Sequence, residues 1–520
     1  MDALVLLIPL LPFLASIAVG LGILSGVLDG ETKESWTAAI VLWGMSMSCL
    51  LSMTLLGADF IGVNKGAVHL GFWFASDRLK IPVNFITTGL NVRMAALFSL
   101  LIAIVCRFSV NYMHRETGFH RFFFTLGLFC SAMLLLVLSG NTVGTFAGWE
   151  IAGLCSYFLI GYAYDRPVAT HNAARVFVTN RVGDTAFILG IGLGYIWAES
   201  VNWLKLNALA EQLTFGEATG IALCFTVAAL VKSAQLPFSS WLARAMEGPT
   251  PSSAVFYGAV MVHAGVFLIL LTHPIIEKTA FVMILLSAAG ILTACYGFYA
   301  GLTQTDIKSS LTFAVTAQLG LMFFECGMGW WQLAEWHLGT HAVVRCAQFL
   351  TAPSLLHNLK GVPVAPFHSR LSEQPWAYTA SLHRFWLEPI IDWALVKPVG
   401  RLGQDLAYFD DFIVDKSLGS PASAINAISS LALMEEQNLG ARLDNDSDEF
   451  AQGSGFAGKL TAWFAALSHW FEERFVLRGI GKDTLHYGRR LGYAANRFEQ
   501  LILRPRYLVL FVFITFLVAF

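Results

Sequence analysis

Ionisable side chains stand inside long apolar stretches of this chain, where each costs free energy to keep. Glu150 lies in GWEIAGLCSYFLIGYAY, Arg181 and Asp184 in NRVGDTAFILG, and Lys232 in AALVKSAQLPFSSWL. Lys308 ends the QTDIK turn, and His337, His341 and Arg345 share WHLGTHAVVRCAQFL. A charge at the centre of a bilayer costs about 2.5–3.5 kcal/mol on insertion scales, so such residues imply a task. A carboxylate, amines and imidazoles spread through one bundle are the parts of a proton wire. Burial penalises the charged form of any such group and brings it toward the range in which a proton can be handed on.

Each group also has a structural reading. Arg181 and Asp184, three apart on one helix face, are as well placed to satisfy each other as to carry protons. Glu150 and Lys232 have no opposite charge within their own apolar runs, which favours function. His337 and His341, at i and i+4, have metal-ligand spacing, but no carboxylate or thiolate shares their face; a proton relay or a packed hydrogen-bonded role fits better, and no metal is expected. No cofactor is expected either. The eight cysteines fall singly in apolar runs, and the chain has no HExxH, P-loop or nucleotide fingerprint.

The elements that must hold these groups follow from composition. Of 520 residues 56% are hydrophobic and 13% charged, with net charge −2, against about 25% charged in soluble domains. A soluble, disordered, disulfide-rich or nucleic-acid-binding protein is excluded, and an all-α polytopic helical membrane protein is expected. Runs at about 3–28, 36–57, 90–112, 121–139, 141–163, 174–197, 218–236, 252–272, 280–300, 309–327, 336–356 and 503–520 suggest roughly twelve spans. The first run reads as a span rather than a signal peptide, because no basic leader precedes it. Pro237 just after Lys232, then Gly248, Pro249 and Pro251, predict a helix broken at depth, which lipid tolerates only along a cavity or ion path.

Nearly half of the charged residues fall between 357 and 506, so that region is separate from the bundle. Within it, Leu382 to Phe412 reads as an amphipathic helix on the bundle or in the interface. The cluster Asp444, Asp446, Asp448 and Glu449 lacks the glycine and glutamate of a calcium loop and reads as solvated. Arg115, Arg121, Arg166, Arg244 and the basic residues of 357–506 collect on the side of the 29–35 loop, which the positive-inside rule places in the cytoplasm.

The stretches GWEIAGLCSYFLIGY, NRVGDTAFILGIG, KSAQLPFSSWL with RAMEGPTP, QTDIK with TAQLGLMFF, and HLGTH, in this order over about 85–350, resemble the antiporter-like membrane subunits of respiratory complex I (subunit 5, or L) and of Mrp-type multi-subunit sodium/proton antiporters. The resemblance implies a bundle with inverted repeats in which Glu150 and Lys232 form the first proton half-channel. Lys308, His337 and His341 would then lead onward through the bundle centre. Asp184 and Arg181 would support them.

Departures from the family pattern are equally informative. The histidine typical after GPTPVSALI is Tyr257, a new His263 follows, Arg244 replaces an acid, and Arg345 replaces a switchable lysine. Arginine keeps its protons at any accessible pH, so the wire is expected to stop or turn at His337 and His341. The second repeat is truncated, since 357–412 is too polar to supply its broken helix. SSAVFYG, QFLTAPSLLHN and this truncation resemble more closely the membrane subunit (DabB) of DAB-type inorganic carbon accumulation complexes. That implies a large zinc-containing, carbonic-anhydrase-like (DabA-like) partner, a flow of protons or sodium ions that drives CO2 hydration there, no enzyme chemistry on this chain, and residence in the bacterial inner membrane. A subunit of a complex I-type NADH-quinone oxidoreductase or of an antiporter is the alternative. The expected domains are N-terminal spans at 1–120, an ion-translocating core at 121–356, a polar or amphipathic cytoplasmic or interfacial region at 357–502, and a last span at 503–520.

Overall fold

The computed structural model describes residues 2–64, 66–76, 79–358 and 374–409. The chain divides into two units, Met1–Ile391 and Asp392–Phe520. In the first, the apolar runs fold as helices, the form in which a chain in lipid satisfies its backbone groups internally. They are α1 (Asp2–Leu24), α2 (Glu34–Phe60), α3 (Gly89–Tyr112), α4 (Phe119–Leu138), α5 (Thr142–Ile160), α6 (Pro167–Ala198), the short α7 (Trp203–Ala208) and α8 (Phe215–Lys232). After them come α9 (Ser240–Arg244), α10 (Thr250–Ser253), α11 (Ala264–Leu271), α12 (His273–Ile276), α13 (Ala280–Leu302), α14 (Ile307–Gly327) and α15 (Trp331–Asn358).

Among the described residues ten segments are long and apolar enough to cross a membrane, α10 to α11 counting as one, Thr250–Leu271. The expected run at 336–356 lies within α15, which has the length but is less apolar because it carries His337, His341 and Arg345. The run at 503–520, the acidic cluster at 444–449 and most of 357–506 lie outside the described residues. Trp43, Leu50, Ile188, Leu189, Ile284 and Leu292 are exposed, as a lipid-facing surface requires.

An antiparallel hairpin, β1 (Ala67–Ala75) and β2 (Lys80–Ile86), is an addition to the expected all-helical bundle. It closes over the α4–α5 turn: Gly140 N–H donates to the Asn84 carbonyl at 2.8 Å, and Asn141 donates to Asn84 Oδ1 and the Pro82 carbonyl at 2.8 Å each. The same Asn141 caps α5 by accepting from Gly144 N–H.

Two spans are broken at depth. Helix α8 stops at Lys232 and the chain runs unwound to Ser239, with Ala234 in the left-handed region (φ 52°). Its polar groups are still paired: Gln235 N–H with the Leu230 carbonyl, Leu236 N–H with Thr293 Oγ1 at 2.9 Å, and Trp241 Nε1 with the Val231 carbonyl at 2.9 Å. This is the break that Pro237 predicted, and Gly248 and Pro249 end the following short turns as expected. The second break was not expected. Between α10 and α11 the chain makes a π-helical turn (Ala254–Ala259), kinks at Val260 (φ −133°, ψ −62°) and tightens into a 3₁₀ turn (Met261–His263). The two breaks touch, with Ser233 Oγ donating to the Val262 carbonyl at 2.6 Å.

Past α15 the described chain resumes as α16 (Pro375–Leu382), which packs on α13 with Ser381 donating to the Tyr299 carbonyl. Arg384, Phe385 and Trp386 all adopt positive φ, so the amphipathic stretch from Leu382 is not one continuous helix. This turn and α17 (Leu387–Ile391) lay Phe385 and Leu387 against Ala243, Tyr296, Ala300 and Phe313 of the bundle. In the second unit, Asp392–Val396 forms a π-helical turn leading into α18 (Lys397–Phe409).

Candidate functional site

The first cluster joins α5, α6 and the end of α8. Arg181 forks between two carboxylates: Nη1 donates to Glu150 Oε2 at 2.7 Å, and Nη2 forms an ion pair with Asp184 Oδ2 at 2.7 Å. The i,i+3 pairing of Arg181 with Asp184 therefore forms, and Glu150 joins it. The buried Asp184 also accepts from the Trp149 indole N–H at 2.8 Å. Lys232 is only 1% exposed and has no carboxylate within ion-pair distance among the described residues. Its Nζ donates to the Trp149 carbonyl at 3.1 Å and lies 4.9 Å from the centre of that indole ring. Gly153 lets the groups converge: a Cβ there would stand 3.4 Å from Lys232 Nζ and 3.7 Å from Arg181 Nη2.

The second cluster gathers around α15. His263, at the second break, shares a 2.9 Å hydrogen bond between its Nε2 and His341 Nδ1, and both rings are buried. Arg345 Nε donates to His341 Nε2 at 3.2 Å, while its Nη1 donates to Gln348 at 2.7 Å. One turn earlier, His337 Nδ1 meets Glu325 at 2.9 Å and its Nε2 meets Gln318 Oε1 at 2.8 Å. Both ring nitrogens thus face oxygens. The His337 and His341 rings lie edge to face, 6.1 Å apart.

Three residues from the sequence reading stand elsewhere. Lys308 is in the first turn of α14, just after the N-cap Asp306, with Asp306 and Glu247 as the acids acting on it; it is at the end of its span, not at the bundle centre. The buried Tyr257 hydroxyl donates to the Ala245 carbonyl. Arg244 joins Arg384 in holding Glu388, through Nε at 3.1 Å, with Arg384 Nη1 at 2.9 Å. Sequence reasoning missed Trp149, Glu325, Gln318 and Glu388. Trp149 had a signal in its place beside Glu150; Glu325 and Gln318 are 12 and 19 residues from His337 and had none.

Chemically, Arg181 fixes two carboxylates in place, while Lys232 is held, among the described residues, by a neutral carbonyl and a ring face. A buried amine so held can give up its proton without breaking an ion pair, which the arginine beside it cannot do. The imidazoles of the second cluster are groups that both take and give protons.

Residues 139–394 match the family described as NADH:quinone oxidoreductase/Mrp antiporter, transmembrane, and residues 73–123 match the N-terminus of complex I chain 5. Subunit 5 of the NAD(P)H-quinone oxidoreductase from the chromatophore of Paulinella chromatophora is 36% identical over 368 residues, covering 69% of this chain and 55% of the relative. The chloroplast subunit 5 of Physcomitrium patens is 34% identical over 366 residues, covering 68% and 50%. The chain spans about half the length of the curated relatives it matches. Among solved structures, the Mrp complex of a Dietzia species aligns with a TM-score of 0.60 at 18% identity, over 99% of this chain and 62% of its counterpart. The archaeal membrane-bound sulfane sulfur reductase aligns at 0.57 and 18%, over 73% and 64%. The fold is that of these antiporter-like complexes, and the chain belongs to the family of multi-pass membrane subunits shared by complex I subunit 5 and the Mrp antiporters.

Proposed function

We propose that this chain translocates protons as one membrane subunit of a multi-subunit complex, with Glu150 and Lys232 in its first half-channel and the chemistry of the complex on partners. The carrying observation is the fully buried Lys232 at a helix break, hydrogen-bonded to a carbonyl beside two carboxylates that share one arginine, Arg181. Amines and imidazoles relay protons, whereas sodium needs converging oxygens, and the carboxylates here are engaged by arginine. The names of the curated relatives support a complex I-type or Mrp-type assembly as the setting.

A second reading, coupling to a carbonic-anhydrase-like zinc partner for inorganic carbon uptake in a bacterial inner membrane, is favoured by one feature. Arg244, which replaces the family's acid, is used to dock the segment after α15 through Glu388, where a full second repeat would otherwise continue. In either setting the region at 357–502 serves as the docking element for partners.

Glu150→Gln and Lys232→Ala should each abolish coupled proton uptake into membrane vesicles while the complex still assembles. Normal assembly with near wild-type uptake in either variant removes the half-channel. Affinity purification of the complex separates the settings, by recovering quinone-reductase or antiporter subunits or a large zinc protein.

A further inference from the structure

The two helix breaks meet beside a pair of histidines, and the donors around that pair decide which nitrogen carries each proton. Arg345 Nε always bears hydrogen and points at His341 Nε2, 3.2 Å away. Nε2 is therefore the acceptor and the His341 proton sits on Nδ1. That N–H faces His263 Nε2 at 2.9 Å, so His263 accepts there and carries its own proton on Nδ1. His263 Nδ1 is buried and has no hydrogen-bond partner among the described residues, an arrangement that is costly in a folded protein. On its other side His263 adjoins Val262, whose carbonyl holds Ser233, the residue after Lys232. Tyr257 is tied to Ala245 and offers no station in its place.

We propose that His263 is a proton-carrying station joining the Lys232 cluster to the His341–His337–Glu325 line, and that Arg345 is the positioning residue that sets the tautomers of both rings. The proposal deepens the transport reading above and rests on it. For one proton to pass, Arg345 releases His341 Nε2, staying held by Gln348 through Nη1, and a proton binds that nitrogen. His341 then gives its Nδ1 proton to His263 Nε2, and His263 gives up the proton on Nδ1. One proton enters, one leaves, and both rings end neutral with hydrogen on Nε2. The new His341 N–H now opposes Arg345 Nε–H, donor against donor, so the Arg345 contact disfavours this form of the ring and favours the resting Nδ1–H form. Arg345 thereby biases the pair toward its resting tautomers.

The test uses the intact complex reconstituted in liposomes, with a pH-sensitive dye for coupled proton flux and ¹⁵N-histidine NMR for ring protonation. His341 is assigned by the signals lost in His341→Gln. In the wild type its Nδ1 should be protonated and its Nε2 bare; Arg345→Met, which removes the donor, should shift the ring toward the Nε2–H form, and Arg345→Lys should retain part of the wild-type pattern and part of the flux. His263→Gln should cut flux by about a hundredfold, in the range of a lost acid–base group, in an assembled complex. The proposal is overturned if wild-type His341 carries its proton on Nε2, a measurement that needs no variant at site 263 to fold. It is equally overturned if His263→Gln keeps full flux while Lys232→Ala has none. Full flux in Lys232→Ala as well would sink the transport reading itself, and the NMR result would still decide the tautomer assignment.

Discussion

At Gly265 the two broken helices press close together, and Gly265→Ala tests whether they must touch. A Cβ at this position would lie 2.3 Å from Ser233 Oγ and 2.4 Å from the Ala229 carbonyl oxygen. Carbon contacts relax at about 3.5 Å or more, so the segments would have to part by about 1 Å. Ser233 can turn its hydroxyl away, but the carbonyl is backbone and cannot. Overpacking of this kind costs about 1–3 kcal/mol and loss of the buried Ser233–Val262 hydrogen bond about 1 more, giving roughly 2–4 kcal/mol. Gly192→Ala on α6 is the control: nothing lies within 4 Å of its Cβ position, and alanine is favoured there by about 0.5–1 kcal/mol. In thermal unfolding of the purified chain in detergent, the two variants should move in opposite directions. Adding Ser233→Ala to Gly265→Ala should recover only a minor part of the loss, because the carbonyl contact persists. If Gly265→Ala melts with the control, or Ser233→Ala restores it fully, the close backbone approach is wrong. Because His263 is two residues away, the same parting should break its 2.9 Å bond to His341 and depress coupled flux.

Two further outcomes follow from named contacts. Burial alone would raise the Glu388 carboxyl, but the hydrogen bonds and charge of Arg244, with Arg384, hold it below the ordinary carboxylate value. A depressed folded value means that the clamp contributes above the unfolded value of about 4.3 and is lost as pH falls through the lower folded one. Hydrogen exchange over 380–391 should therefore stay slow at neutral pH and quicken only in acid, whereas Glu388→Gln should exchange fast at neutral pH; equal protection in the two would discount the clamp. Trp149→Phe keeps a ring against Phe187 but drops the indole donor to Asp184, and should cost about 1.5–3 kcal/mol as a bond to a charged group. A double-mutant cycle with Asp184→Asn measures that bond directly, and a coupling energy near zero would count against it.

Much of this protein was legible without coordinates, for a physical reason. An apolar run of some twenty residues has one common solution in lipid, so the spans at 90–112, 121–139 and 280–300 coincide with α3, α4 and α13. Pro237 announced the first break because a missing N–H and a ring clash act locally, and Arg181 meets Asp184 because i,i+3 residues share a face. The second break carries no such local mark. It sits where Gly258 lies against Phe349 and the Arg345 backbone and where Gly265 meets Ala229, contacts between residues far apart in the chain. For the same reason the residue types named Glu150, His337 and His341 as candidates, but only packing decided that Glu150 bonds to Arg181, that His337 bonds to Glu325, and that His341 finds His263. Motif position put Lys308 on the path, and helix geometry put it at the end of its span. Composition and spacing determine which groups enter the membrane and in which helix. Which of them come within hydrogen-bond distance is a property of how the helices cross and break, and that is settled by close contacts that no single segment encodes.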